Sequence, residues 1–391
     1  MSGPSPNPNP VTGLDPVALT RDLIQRPSVT PADAGAMDTL QRVLTDLGFS
    51  CRRMAFEGPG GEGREARIEN LYARLGDTSP NLCFAGHTDV VPTGAVEGWS
   101  SDPFAAEIRD GILYGRGAVD MKGGIAAWVA AVSRVLRDGQ PAGSLSFLIT
   151  GDEEGPALHG TKRVVEALMA EGEVIDACVV GEPSSQHLLG DMIKIGRRGS
   201  LNTWITVHGK QGHVAYPDRA ANPAPVLVRL LADLESHVLD EGYEAFQPSN
   251  LEITTIDIGN TATNIIPAQA TARLNIRFNP SHTGDGLIAW LNAEAGRIQA
   301  QTGLQISLEH LCSGEAFLTP HGDFVTRVQD AVEAETGRRP VASTTGGTSD
   351  ARFIRALCPV LELGLVGQTM HQFDERTPIS EIQALTGVYE R

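Results

Sequence analysis

Hydrophobic and polar positions along the chain alternate between two rhythms. Met37, Leu40, Leu44 and Leu47 recur at helical spacing and Gly48 follows as a stop. Upstream, Asp15 followed by Pro16 reads as an N-cap and first helical residue. Short, wholly apolar runs at 82–86, 145–150 and 177–181 predict buried strands, and 122–137 and 161–170 predict helices. Strands alternating with helices imply an α/β sheet covered on both faces. A cluster of glycine and acidic residues between 57 and 65 predicts a loop.

The rhythm changes near residue 201. Strands are expected at 202–208, 251–258, 270–278 and 304–310, with helices at 223–239 and 285–300. That order, β-α-β-β-α-β, is the split pattern of a small two-layer α+β domain. A helix at 322–336 and a buried strand at 359–365 then resume the first rhythm. The expected organisation is an α/β domain of residues 15–200 and 312–391, interrupted by an inserted two-layer domain at 201–311. Residues 1–14, rich in Pro, Asn and Ser at their start, are expected to be a disordered tail.

Composition narrows the classes of function. The 391 residues carry 41% hydrophobic and 20% charged side chains, a globular profile. No apolar run approaches the roughly 18–20 residues of a membrane span. The N-terminus lacks the basic and apolar stretches of a secretory signal, so cytoplasm is the expected compartment. A net charge of −17, from 31 basic and 48 acidic residues, disfavours nucleic acid and anionic membranes as partners. An anionic substrate would need local arginines to overcome that field. The five cysteines, Cys51, Cys83, Cys178, Cys312 and Cys358, are odd in number and show no C-x-x-C spacing. They read as buried free thiols of a reducing compartment, structural rather than catalytic.

Five clusters carry acidic or histidine chemistry: Gly86-His87-Thr88-Asp89, Gly115 to Lys122 around Asp120, Gly151 to Gly155 around Glu153 and Glu154, Gly181-Glu182-Pro183, and Met370-His371-Gln372-Phe373-Asp374. Three of them directly follow an expected strand, where open α/β sheets place their sites. Alone, each has an ordinary reading: a surface turn, a solvated acidic face, a loop histidine, or, for Asp120, the N-cap of the next helix. Together, carboxylates gathered at one sheet end repel one another unless cations lie between them. Histidine and carboxylate without cysteine suit a catalytic zinc, cobalt or manganese site rather than a closed structural zinc. In an extended segment His87 can bind metal while Asp89 accepts its other ring N–H. Adjacent Glu153 and Glu154 would point apart, one to metal and one to a water. The two oxygens of Asp120 could bridge two ions about 3.5–4 Å apart. The stretch 115–124 completes neither G-x-G-x-x-G nor a phosphate-binding loop, and no G-x-S-x-G elbow occurs.

The segments GHTDVVP (86–92), YGRGAVDMKGG (114–124), ITGDEEG (149–155) and VGEPSS (180–185) resemble the M20 family of di-zinc amidohydrolases and peptidases. RRGSL (197–201), GKQGHVAYP (209–217), ATNIIP (262–267), TGGTSDARF (345–353) and MHQFDE (370–375) narrow the likeness. The resemblance runs from about residue 15 to the end of the chain. It implies a metallopeptidase-type catalytic domain, a dimerisation surface on the inserted domain, and a homodimer. It implies two divalent ions, expected as Zn2+ with Co2+ as an alternative: one on His87, Asp120 and Glu182, the other on Asp120, Glu154 and His371. Glu153 would be the general base, Asp89 would orient His87, and His213 would stabilise the oxyanion across the dimer. Arg197, Ser200, Tyr216, Asn264, Arg277, Gly347 and Thr348 match the family's substrate-contact set. Arginines suit a small carboxylate-bearing substrate by their fork geometry. Arg277 stands in an apolar strand, where an unpaired charge is costly, so an anionic partner, protein carboxylate or substrate, is expected. The implied activity is hydrolysis of the succinyl amide of N-succinyl-LL-2,6-diaminopimelate in lysine biosynthesis. Deacylation of N-acetylornithine or cleavage of a small peptide is the alternative within the same metal chemistry.

Overall fold

The computed structural model describes residues 13–59 and 65–391. The expected tail therefore falls almost wholly outside the described residues, as does the centre of the expected 57–65 loop. The flanks of that loop are strands, since Ser50–Pro59 pairs antiparallel with Glu65–Leu75. Charged residues there mark partly exposed strands rather than a loop. Arg53, for example, bonds Asp38 and Glu69.

The chain divides into two compact units, one of 1–195, 319–343 and 349–391, the other of 196–318 and 344–348. The inserted unit thus begins before residue 201 and ends after 311. The short strand Gly196–Arg197 pairs with Phe317–Leu318 and closes it.

An eight-stranded mixed sheet forms the centre of the larger unit. In its middle, Ser144–Thr150, Asn81–His87, Ala177–Val180 and Val360–Glu362 run parallel. The last of these is shorter than the expected 359–365 strand. Consecutive residues of Asn81–His87 are buried, which requires cover on both faces. Helix Lys122–Asp138 packs against Pro16–Ile24 and Ile379–Glu390, and Phe84 stacks on Trp128 at 4.8 Å. Asp15 caps the first helix by accepting from the Val17 N–H at 2.9 Å. Cys83, Cys178 and Cys358 are buried free thiols, whereas Cys51 and Cys312 are partly exposed.

The smaller unit has a four-stranded antiparallel sheet in the order Asn250–Asp257, Gln269–Phe278, Gly199–His208, Ile306–Gly314. Its main elements, with helices Pro223–Glu235 and Gly284–Thr302, run β-α-β-β-α-β. Burial alternates along Gly199–His208 and Gln269–Phe278, so one face meets the helices and the other does not. Leu201, Ile205, Leu227, Leu230, Leu274 and Leu291 belong to the core between the layers. Among the described residues no helix is long and apolar enough to cross a membrane.

Candidate metal centre

The parallel strands deliver functional side chains from their carboxyl ends. His87 is the last residue of Asn81–His87, Asp152 to Glu154 follow Ser144–Thr150, and Glu182 follows Ala177–Val180. Asp120 arrives from a turn before helix Lys122–Asp138. That helix has Met121 at its N-cap with no side-chain cap bond, so Asp120 does not cap it. Its side chain is free for the site. Glycines make the approach possible: a Cβ on Gly124 would stand 2.7 Å from the Gly181 carbonyl oxygen, so the turn carrying Asp120 can lie beside Glu182.

The two oxygens of Asp120 face different histidines. Oδ1 lies 3.1 Å from Nε2 of His87 and Oδ2 lies 3.2 Å from Nε2 of His371. Glu182 Oε1 stands 3.6 Å from His87 Nε2, and Glu154 Oε1 stands 2.9 Å from His371 Nε2. Ligand atoms of His87, Asp120 and Glu182 lie within 4.8 Å of one another, as do those of Asp120, Glu154 and His371. The same holds for His87, Glu153 and Glu154. Glu153 and Glu154 therefore converge rather than point apart, because residues 153–155 form bends and not an extended strand. His371 sits in a loop at a left-handed φ of 62°.

Asp89 holds His87 in a way the i, i+2 argument did not anticipate. The His87 Nδ1 is 2.9 Å from the Asp89 carbonyl oxygen, while the nearer carboxylate oxygen stands at 3.7 Å. That leaves the Asp89 carboxylate to accept the backbone N–H groups of Glu153 at 3.2 Å and Glu154 at 3.0 Å. Asp89 thereby ties the first cluster to the third.

Charge is the dominant feature. Burial opposes protonation of His87, yet the hydrogen bond with Asp120 and the charges of Glu182, Asp120 and Glu153 hold its pKa well above the ordinary value. Hydrogen bonds with Asp120 and then Glu154 push His371 up to about 10. Burial, with Asp120 beside it, raises Glu182 well above the usual carboxylate range, and burial likewise raises Glu153. Burial works against ionised Asp120 too, but its hydrogen bonds to His371 and His87 outweigh this and lower its pKa. Burial lifts Asp89 to about 7. A pocket in which carboxylates outnumber histidines, and the histidines are held charged, is built around positive charge. Nitrogen and carboxylate donors without sulfur fit divalent ions of the zinc, cobalt or manganese type.

Other side chains around the centre were not assigned roles from sequence. Glu375 is buried and accepts the N–H groups of Val119 at 2.9 Å and Asp120 at 3.2 Å. Its other oxygen meets Arg116 at 2.7 Å, an ion pair buried on both sides. Lys122 is fully buried with its ammonium on the Arg26 carbonyl oxygen at 2.8 Å, and burial lowers it to about 7. Buried Asp350 is raised by burial, with Arg352 opposing that shift. The only sequence signal for Glu375 and Lys122 was their place within motif segments.

The remaining expected residues belong to the smaller unit. His213 pairs with Ile265 in a two-residue ladder, and Asn264 accepts the Val214 N–H at 3.1 Å. Exposed Tyr216 has its ring 5.8 Å from that of His213, so these three residues form one cluster. Arg197 is buried and donates to the Thr345 carbonyl oxygen at 3.0 Å, beside Gly346, and Gly347 and Thr348 follow in the same segment. Ser200 lies opposite Arg277 in the sheet. Arg277 has no carboxylate partner among the described residues; burial lowers its pKa, and burial and then the like charge of Arg277 lower that of Arg198.

The model of peptidase family M20/M25/M40 matches residues 83–391. The succinyl-diaminopimelate desuccinylase of Caulobacter vibrioides is 64% identical over 387 residues, covering 98% of this chain and 97% of that protein. Among solved structures, an aminopeptidase from Bacillus cereus superposes with a TM-score of 0.76 at 20% identity, covering 97% of each chain. A peptidase from Bacillus subtilis, described as dinuclear metal-binding, superposes with a TM-score of 0.68 at 16% identity over 96% of this chain and 95% of its own.

Proposed function

The chain belongs to peptidase family M20/M25/M40, and from that premise we propose that it hydrolyses the amide bond of N-succinyl-LL-2,6-diaminopimelate, releasing succinate and LL-2,6-diaminopimelate. The observation that carries the reading is Asp120, whose two oxygens stand 3.1 Å and 3.2 Å from the nitrogens of two histidines. His87, Asp120 and Glu182 would hold one divalent ion, and Asp120, Glu154 and His371 the other, with Zn2+ preferred and Co2+ the alternative. Such an ion pair supplies Lewis acidity, lowering the pKa of a shared water and polarising the scissile carbonyl.

The protein's own groups move the proton. Glu153 takes it from the attacking water and passes it to the nitrogen of the leaving amine as the C–N bond breaks. Asp89 keeps Glu153 in place through its backbone N–H and orients His87 by its own carbonyl. His213 donates to the oxyanion that forms at the carbonyl. In this reading it acts on the site of a second copy, the inserted unit is the dimerisation surface, and the working form is a cytoplasmic homodimer. Arg197 and Arg277 bind substrate carboxylates, Ser200, Tyr216 and Asn264 add hydrogen bonds, and Gly347 and Thr348 present backbone to the ligand. The 64% identity to the Caulobacter vibrioides desuccinylase favours this substrate over other N-acyl amino acids.

A substrate panel tests the assignment. The succinylated diaminopimelate should show the highest kcat/KM, ahead of N-acetylornithine and unsubstituted dipeptides. Faster turnover of N-acetylornithine would overturn the choice of substrate and leave the metal chemistry standing.

A further inference from the structure

Asp120 stands on a turn of seven residues, Gly115 to Met121, and the backbone donors of that turn converge on one residue. Glu375 accepts the Gly115 N–H with its carbonyl oxygen at 2.9 Å. Its Oε1 accepts the N–H groups of Val119 and of Asp120 itself. Its Oε2 accepts from Arg116, at 2.7 Å, within the same turn. Arg116 extends the tie in two directions, toward the Gln372 carbonyl oxygen and the Pro92 carbonyl oxygen, both at 3.4 Å, with its guanidinium 5.2 Å from the Trp99 ring. Gln372 directly follows His371, and Pro92 is three residues beyond Asp89.

Glu375 is fully buried, beside the backbone of Asp120. A buried carboxylate in such a place is tolerated only where it is paired and hydrogen-bonded, and here it is both. Its bonds are spent on holding the main chain of the residue whose carboxylate faces both histidines. The pair therefore joins three loops: the one after strand Asn81–His87, the one bearing Asp120, and the one bearing His371. A ligand held in place before metal arrives loses little freedom on binding, so this geometry acts on affinity more than on fold.

We propose that Glu375 and Arg116 are positioning residues that fix the Asp120 turn against the His371 loop, and that they set the affinity of the metal pair and the order of the site. Neither residue is among the candidate metal ligands. The inference rests on the di-metal reading above.

The test is zinc binding by metal-depleted full-length protein, measured by competition with a chromophoric chelator, for wild type, Glu375→Ala, Glu375→Gln and Arg116→Gln. As a control, Glu173→Ala removes the partner of Arg74 in an ion pair away from the centre. Glu375→Ala should weaken zinc binding about 10–100-fold, the usual cost of losing a group that orients metal ligands. Glu375→Gln keeps an acceptor for the two N–H groups and should recover part of that loss. The control should bind zinc as wild type does, even where its melting temperature falls. Once saturated with zinc, Glu375→Gln should keep a near-normal KM, which separates ligand positioning from substrate contact. If Glu375→Ala does not fold, Glu375→Gln and Arg116→Gln decide the matter. Wild-type zinc affinity in every folded variant, or an equal loss in the control, would overturn the proposal. Failure of the wild-type protein itself to take up two ions would instead sink the di-metal reading.

Discussion

Replacing Glu153 with Gln removes one proton acceptor and one negative charge near His87, with little change of shape. The two side chains have the same shape, and the backbone N–H of residue 153 still bonds the Asp89 carboxylate at 3.2 Å. Among the described residues no donor is hydrogen-bonded to the Glu153 carboxylate, so no partner is orphaned by the change. The expected cost is that of a lost general base, about 10²–10⁴-fold in kcat. That corresponds to about 3–5 kcal/mol of transition-state stabilisation, at about 1.4 kcal/mol per decade. The assay is succinate release under saturating substrate, with metal content measured on the same sample. Metal content is the discriminating number, because oxygens of Glu153 and Glu154 and a nitrogen of His87 also lie within 4.8 Å of one another. Were Glu153 a ligand rather than a base, the variant would lose metal along with activity. Activity within about tenfold of wild type, or metal lost in step with rate, would refute the assignment.

Metal uptake should release protons. In the metal-free protein His87 and His371 are held protonated, the latter up to about 10. Both must give up a proton to bind, so zinc affinity should rise with pH across neutrality, and calorimetry in buffers of different ionisation enthalpy should count the protons. The metal-free fold should show the matching sign: because His371 titrates above its unfolded value, its stabilising effect is fully present below about 6.5 and is lost as pH rises through about 10. Flat stability across that interval contradicts the charge pattern described. On the proposed homodimer reading, mixing Glu153→Gln chains with His213→Ala chains should restore activity, since each mixed pair would hold one complete site; a mixture as inactive as its parents would contradict that reading. Phe84→Ala, removing a fully buried ring between Trp128, Phe147 and Tyr389, should cost about 3–5 kcal/mol in thermal or urea unfolding. A loss below about 1 kcal/mol would show that the site is less tightly packed than its contacts suggest.

What sequence made legible follows from local physics. Strand Asn81–His87 was readable because burial on both faces enforces an unbroken apolar run, and His87 stands out as the polar residue that ends it. The strand–loop position of Glu153, Glu154 and Glu182 could be read for the same reason. The hairpin of Ser50–Pro59 and Glu65–Leu75 was missed because charged residues such as Arg53 and Glu69, paired across the strands, interrupt the buried apolar positions Ile68, Leu71 and Tyr72. The role of Glu375 was invisible because its bonds span 255 and 256 residues, and spacing cannot report a contact made only in the folded chain. The bond of His87 to the backbone of Asp89, rather than to its carboxylate, depends on an exact turn geometry that residue types do not encode.

Titrating metal-depleted protein with zinc while following succinate release tests the central claim most directly. Activity should be absent without metal and should appear as two ions bind per chain, with both lost together when Asp120 is replaced by Asn. Full turnover in the presence of excess chelator, or saturation at a single ion per chain, would contradict it.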